Sequence, residues 1–235
     1  MNLVLLQPSD FISDNHVRLQ GRTLKHVLEV HRAKAGDTLR VGIVNGRIGQ
    51  GRIESINRDG LEMTVQLEID PPAPLPLRLI LALPRPKVLN RVLAAATSMG
   101  IREIDLINAW RVEKSYWESP RLSDENLRLQ SMLGLEQAAD TVLPTVRLHK
   151  LFARFVRDEL PASLSGQRAL LAHPYASEDA PRRVDGRVVL AIGPEGGFID
   201  RELETLKDLG FGQVRLGPRI LRVETALACL VGRLF

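Results

Sequence analysis

Residues 188–198 read VVLAIGPEGGF, an apolar run of five followed by a turn that contains three glycines and one carboxylate. A helical pattern begins directly afterwards, with Asp200 as its predicted cap. In open α/β sheets, ligands bind beyond the carboxyl ends of the strands, and glycine allows the backbone to approach a ligand closely. The turn has neither the Gly-Lys-Ser/Thr of a Walker loop nor the spacing of a dinucleotide fingerprint. It predicts a ligand loop after a buried strand, or simply a tight strand-to-helix connection.

A second stretch, residues 214–226, reads VRLGPRILRVETA and again places Gly-Pro after a strand. Ile220 and Leu221 are apolar in a loop that would be polar if it merely turned. We expect them to wall a pocket. Arg222 and Glu224 then open the last helix beside that pocket, although a surface ion pair at a helix start is the simpler alternative for these two residues.

The chain changes pattern at residues 71–76, which read PPAPLP and predict a stiff, extended linker. Residues 1–70 have short alternating runs and an Asn45-Gly46 hairpin signal, typical of a small β-barrel with one helix near residues 24–30. Residues 77–235 alternate strands with helices, which favours a parallel α/β sheet. The strands are predicted at 77–83, 104–107, 169–173, 188–192 and 214–216, and the helices at 88–99, 124–138, 148–160, 200–209 and 222–234.

Composition limits the function classes. The 235 residues are 44% hydrophobic, and no apolar run approaches the roughly 18 residues needed to cross a bilayer. One cysteine excludes an internal disulfide, and the histidines lack metal-binding spacing, so no metal site is expected. The start of the chain has no secretion-signal pattern. These features predict a soluble, cytoplasmic protein with no membrane partner.

The charge pattern permits a nucleic-acid partner. The net charge is +4, 26 of the 32 basic residues are arginine, and the basic surplus lies in residues 71–122. Residues 110–117, WRVEKSYW, combine two cations with three aromatics, a composition suited to gripping unpaired nucleotides. A buried or interface patch under a loop is the alternative explanation.

Together, IGPEGGF at 192–198 and LGPRILRVETA at 216–226 resemble the signature of the ribosomal RNA small subunit methyltransferase E family. The resemblance extends to His26-Val27-Leu28 and Gly36-Asp37 near the start, and to Gly100-Ile101 and Glu136-Gln137. Members of that family are knotted methyltransferases of the SPOUT class that methylate N3 of a uridine in 16S ribosomal RNA.

The resemblance implies a PUA-like β-barrel over residues 1–70 and a SPOUT-type α/β domain over 77–235 with a C-terminal trefoil knot. It implies a homodimer that uses the knot and the last helix, and S-adenosyl-L-methionine as cofactor. The loops at 170–173, 193–197 and 216–221 would converge on that cofactor. The expected cofactor residues are Leu171, His173, Ile192, Gly193, Pro194, Glu195, Gly196, Gly197, Leu216, Gly217, Ile220 and Leu221.

The chemistry needs a cation near the uracil carbonyls and a group that accepts the N3 proton. Arg222 is the first choice for the cation. Glu224 and Glu195 are both candidates to accept the proton or to orient Arg222. The residues expected to contact RNA are His26, Arg32, Arg85, Lys87, Arg91, Arg111, Lys114 and Arg219.

The chain departs from the family pattern at Glu29, Ala95, Ser98 and Asp140. None of these positions lies in the cofactor loops. The departures leave the modified nucleotide open, so a knotted methyltransferase with another RNA target is an alternative. An RNA-binding factor that has lost turnover is a second.

Overall fold

Twelve strands form two separate six-stranded sheets in the computed structural model, which describes residues 2–235. The sheets belong to two compact units. The first unit contains the residues up to Ala73 together with Met132–Leu143, and the second contains Pro74–Ser131 and Pro144–Phe235. The chain passes from the first unit to the second inside the proline-rich segment, where proline offers no backbone N–H to a helix or a strand ladder.

The first unit is a mixed sheet in the order β1-β4-β5-β6-β3-β2, in which β1 pairs with β4 in parallel and the other pairs are antiparallel. At the predicted hairpin, Asn45 has a φ of 60° and the Gly46 N–H donates to the Ile43 carbonyl at 2.8 Å. Helix α1, Gly21–His26, continues as a π-helical turn, Val27–His31. The strands are β1 Val4–Leu6, β2 Phe11–Ser13, β3 His16–Leu19, β4 Thr38–Ile43, β5 Ile48–Ile56 and β6 Leu61–Ile69.

The second unit contains an entirely parallel sheet in the order β12-β10-β11-β7-β8-β9. The central strands β7 and β11 are buried along their whole length, as expected for a parallel sheet covered on both faces. The strands are β7 Leu77–Ala82, β8 Glu103–Ile107, β9 Thr145–His149, β10 Arg168–Ala172, β11 Val188–Ile192 and β12 Gly212–Val214.

The helices that follow the proline-rich segment agree with the predicted pattern in most places. Gly100, with a φ of 80°, follows the end of α2, and the Ser123 hydroxyl accepts the Asn126 N–H at the start of α3. The helices are α2 Pro86–Ser98, α3 Asp124–Ala138, α4 Phe152–Arg154 with a π-helical turn at Phe155–Glu159, α5 Asp200–Asp208 and α6 Val223–Leu234.

The predicted helix at 148–160 is wrong at its start. Leu148 and His149 belong to β9, an edge strand that pairs with β8, and the His149 ring nitrogen lies 2.7 Å from the Asp105 carboxylate. An edge strand has a neighbour on one side only, so its sequence shows a weak strand pattern. Asp200 is the first residue of α5 rather than its cap, because Ile199 occupies the cap position.

The end of α3 belongs to the first unit, although the helix begins in the second. Leu135 and Ala139 pack with Leu3, Leu5 and Ile48 in one apolar cluster of the first unit. At 15 residues, α3 is about 22 Å long, so its two ends are able to join different cores. No helix in residues 2–235 is both long and apolar enough to cross a membrane.

Candidate active site

A cleft of about 630 Å³ opens beyond the ends of β10, β11 and β12. Parallel strands end at a common edge of the sheet, so the loops that follow them converge there. The volume is ordinary for a small-molecule site. The predicted cofactor residues that line it are His173, Ile192, Gly193, Pro194, Glu195, Gly197, Leu216, Ile220 and Leu221. The two loops identified in the sequence therefore share one cleft.

Three predicted cofactor residues do not line the cleft. Leu171 is fully buried in the core of the sheet, because successive side chains of a strand point to opposite faces. Gly217 lies at the turn itself, where its φ of 95° is a conformation that glycine adopts without strain. Gly196 lies against a side chain of another loop.

That side chain is Arg111, which reaches over Gly196 from the loop after β8. Its guanidinium donates to the Gly196 carbonyl at 2.5 Å. A Cβ at residue 196 would lie 3.0 Å from the Arg111 Cδ. Glycine at this position therefore makes room for Arg111, whereas the prediction had it making room for a ligand.

The buried carboxylate of Glu202 ties the same two loops together. It accepts the backbone N–H of Trp110 at 2.7 Å and that of Ile199 at 3.0 Å. Glu202 is the third residue of α5, so the bond to Ile199 is the carboxylate half of a capping box. Sequence analysis missed this residue, although an acidic side chain in the first turn of a helix was a usable signal.

The loop at 216–221 presents apolar side chains and free backbone donors. Ile220 is 68% exposed, and Leu221 is exposed beside it, although both are large hydrophobic residues. Among residues 2–235, nothing accepts a hydrogen bond from the backbone N–H of Gly193, Leu216 or Leu221. The cleft therefore offers apolar cover and amide donors, a combination suited to a flat aromatic ring with polar edges.

His173 lies half-buried in the cleft wall at the end of β10. Burial lowers the pKa of its imidazole, and Asp200 opposes that shift only in part. Its Nδ1 is buried, and no atom of residues 2–235 bonds to it. The imidazole is therefore neutral at pH 7, which suits a wall that faces a cationic ligand.

Five arginines line the cleft: Arg85, Arg91, Arg215, Arg219 and Arg222. Arg222 is the N-cap residue of α6. Its exposed guanidinium has no hydrogen-bond or ion-pair partner within residues 2–235. Arg219 is likewise exposed and unpaired within that range. Two free guanidinium groups thus face a cleft that is otherwise largely apolar.

The two candidate carboxylates line the cleft, but neither pairs with Arg222. Glu224 binds the Arg91 guanidinium at 3.2 Å, an ion pair that joins α6 to α2. Glu195 accepts the Arg85 backbone N–H at 3.2 Å, at the start of α2. The predicted role of these carboxylates in orienting Arg222 is therefore wrong for this structure, whereas each remains positioned beside the cleft.

The remaining residues predicted to contact RNA are spread over both units. Lys87 and Lys114 are exposed cations of the second unit. In the first unit, Arg32 is exposed with a φ of 52°, and His26 is half-buried with its ring 5.4 Å from that of His31. Across residues 2–235, His, Cys, Asp and Glu form no group of three or more that could hold a metal ion.

Comparison with other proteins identifies the family of the chain. Residues 71–234 match the RNA methyltransferase domain family. The ribosomal RNA small subunit methyltransferase E of Treponema pallidum is 30% identical over 98% of this chain and 90% of its own length. That of Mycobacterium bovis is 31% identical over 88% of this chain and 81% of its own.

A solved structure shares the fold. The small subunit methyltransferase E of Neisseria gonorrhoeae, bound to S-adenosyl methionine, superposes with a TM-score of 0.78 at 22% identity, covering 97% of this chain and 95% of that one. The chain therefore belongs to the ribosomal RNA small subunit methyltransferase E family.

Proposed function

We propose that this protein transfers a methyl group from S-adenosylmethionine to N3 of a uridine in 16S ribosomal RNA, acting in the cytoplasm. The observation that carries the proposal is the single cleft at the ends of three parallel strands, in which backbone amides, apolar side chains and unpaired arginines come together. Family membership supports the assignment of S-adenosylmethionine as the cofactor and of ribosomal RNA as the substrate.

The groups that line the cleft match the chemical groups of the cofactor. The adenine ring requires apolar cover on its faces and donors at its edge, and Ile220, Leu221 and the free N–H groups of Gly193 and Leu216 can supply them. A neutral His173 places no positive charge beside the sulfonium. When bound, S-adenosylmethionine supplies an electrophilic methyl carbon, which bonds to N3 as its carbon–sulfur bond breaks.

The chain's residues would then prepare the uracil. N3 carries a weakly acidic proton and is a poor nucleophile until that proton leaves. We assign Arg222 to stabilise the negative charge that develops on the uracil carbonyls, since its guanidinium has no competing partner in residues 2–235. Glu195 and Glu224 are the candidate proton acceptors, because both line the cleft.

The finer architecture is part of the same proposal. A C-terminal knot is supported by backbone bonds between the end of α6 and the segment before β11: Val184 N–H to the Leu234 carbonyl at 2.7 Å, and Arg183 N–H to the Arg233 carbonyl at 3.3 Å. We assign the first unit as a PUA-like RNA-binding barrel that includes His26 and Arg32. The homodimer would use the exposed small residues of α6, which are Ala228, Cys229 and Gly232.

Two measurements test the proposal. Calorimetry should detect stoichiometric S-adenosylmethionine binding, and ribosomal RNA from cells lacking the gene should lose one methylated uridine by mass spectrometry of its nucleosides. Loss of a different modified nucleotide would keep the enzyme class and refute the N3 assignment. A protein that binds RNA, fails to bind the cofactor and leaves every modification intact would refute the proposed activity.

A further inference from the structure

A second depression adjoins the cleft, and we call it the cationic groove. It measures about 490 Å³ and is lined by Arg85, Pro86, Lys87, Val88, Tyr116 and Arg121. Arg85 and Val88 also line the cleft, so the two depressions share a wall. A polymer that enters the cleft with one unit therefore has the groove available for a neighbouring unit.

The groove carries positive charge that the protein does not neutralise. Three of its six lining residues are cations, and none is acidic. Within residues 2–235, the side chains of Arg85, Lys87 and Arg121 have no carboxylate partner. Three unpaired cations around one depression repel one another, and a polyanion would relieve that repulsion.

The groove is also held in shape before any ligand arrives. Tyr116 and Arg121 come from two successive 3₁₀ turns, Lys114–Glu118 and Pro120–Leu122. The Asn126 side chain donates to the Arg121 carbonyl at 2.7 Å and to the Asn90 side chain on α2 at 3.1 Å. This network fixes the second turn against α2, so that a ligand does not have to order the loop.

Tyr116 adds an aromatic surface to these charges. Its side chain is half-buried and packs on the core while still lining the groove. Cations that flank an aromatic ring are the usual means of holding an unpaired nucleotide, with the ring stacked on the base and the cations on the phosphates. An aliphatic ligand would use neither feature, and an acidic ligand without a ring would use only the charges.

We propose that the cationic groove holds an unpaired nucleotide of the substrate RNA beside the nucleotide that is methylated, with Tyr116 stacked on its base and Arg85, Lys87 and Arg121 on its phosphates. The inference rests on the proposed function, because it takes the adjoining cleft as the reaction site. It adds Tyr116 and Arg121 to the RNA contacts and makes them determinants of RNA affinity.

The test measures RNA affinity and turnover separately. Binding of a fluorescein-labelled oligouridylate of 12 nucleotides is followed by anisotropy at several salt concentrations. Turnover is followed with small ribosomal subunits from cells that lack the enzyme. The variants are Arg121→Gln, Lys87→Gln and Tyr116→Leu, which preserves apolar packing. Controls are Tyr116→Phe, which preserves the ring, and Arg201→Gln, which removes an exposed cation of α5 outside both depressions.

We expect each groove variant to weaken oligouridylate binding about tenfold and to raise KM with kcat nearly unchanged. The two charge variants should also lower the salt slope by about 0.7 each. Both controls should behave as wild type, and S-adenosylmethionine affinity should be unchanged throughout. Thermal melting establishes that the variants are folded, and the exposed Lys87 position tests the proposal even where Tyr116→Leu unfolds.

Two failures are distinguishable. A wild-type protein that binds no S-adenosylmethionine and methylates no subunit refutes the proposed function. A wild-type protein that methylates subunits, while Arg121→Gln and Lys87→Gln keep its RNA affinity and KM, refutes the groove alone. Equal weakening by Arg201→Gln also refutes the groove, because the effect would then be one of net charge.

Discussion

Replacement of Glu202 by alanine should destabilise the second unit and loosen the glycine-rich loop. The carboxylate is 6% exposed and is the acceptor for two backbone N–H groups, those of Trp110 and Ile199. Alanine removes both acceptors at once and provides no replacement. Trp110 and Ile199 lie on the two loops that Glu202 joins, so each loop loses its attachment.

The magnitude follows from these two bonds. A buried donor left without a partner costs about 1–3 kcal/mol. Two such donors therefore predict a loss of roughly 2–6 kcal/mol in the free energy of unfolding, part of which is the lost helix cap. Glu202→Gln retains one carbonyl acceptor but turns its NH₂ group toward the other donor, so its loss should be about half as large.

Urea denaturation followed by tryptophan fluorescence measures this loss, because both tryptophans of the chain, Trp110 and Trp117, belong to the second unit. Glu204→Ala is the matched control, since Glu204 lies exposed on the same helix. Calorimetry on the same variants should show weaker S-adenosylmethionine binding for Glu202→Ala than for the control. Equal unfolding free energies for Glu202→Ala and Glu204→Ala, within about 0.5 kcal/mol, would show that the Glu202 carboxylate does not hold the two loops.

Three further outcomes are expected. Arg222→Ala should lower kcat about 10²–10³-fold while cofactor affinity stays within a few-fold. If calorimetry shows that cofactor affinity falls together with kcat, Arg222 supports the pocket rather than the reaction. Burial holds the pKa of His173 below its ordinary value, so the native protein takes up its proton only at low pH. Cofactor affinity should therefore fall as pH drops from 7.5 to 5.5, and His173→Gln should remove part of that slope; parallel slopes would contradict this role. Gly193→Ala should weaken cofactor binding about tenfold and more than Gly196→Ala, because its new Cβ lies 3.1 Å from the buried Phe198 ring, whereas the one at residue 196 meets a flexible side chain. Isothermal titration of the two variants compares them, and a larger loss at residue 196 would overturn the ordering.

Sequence patterns predicted an element correctly where a single segment contains the whole signal for it. The run at 188–192 contains only apolar residues and is the buried strand β11, and the predicted helix at 124–138 coincides with α3. Both loops that line the cleft were recognisable because glycine and proline interrupt an apolar run at a strand end. The turn predicted from Asn45 and Gly46 is also present, because its signal lies in two adjacent residues.

Other features depend on residues far apart in the chain. Arg111 contacts Gly196 across 85 positions, and Glu202 reaches Trp110 across 92. No local pattern predicts that Arg111 contacts Gly196, and the helix-start signal of Glu202 does not predict its bond to Trp110. The strand β9 exists because β8 offers it a partner, and Glu224 pairs with Arg91 because α6 lies beside α2.

Local patterns predicted most of the alternation of strands and helices in residues 77–235, the proline-rich linker and the two loops that carry the site, because burial pattern and turn chemistry act over a few neighbouring residues. Which side chains face the cleft, which carboxylates have a partner, and which core contains the end of α3 follow from the folded chain alone. These features depend on which distant groups the folded chain brings within hydrogen-bond distance. No single stretch of residues predicts that proximity.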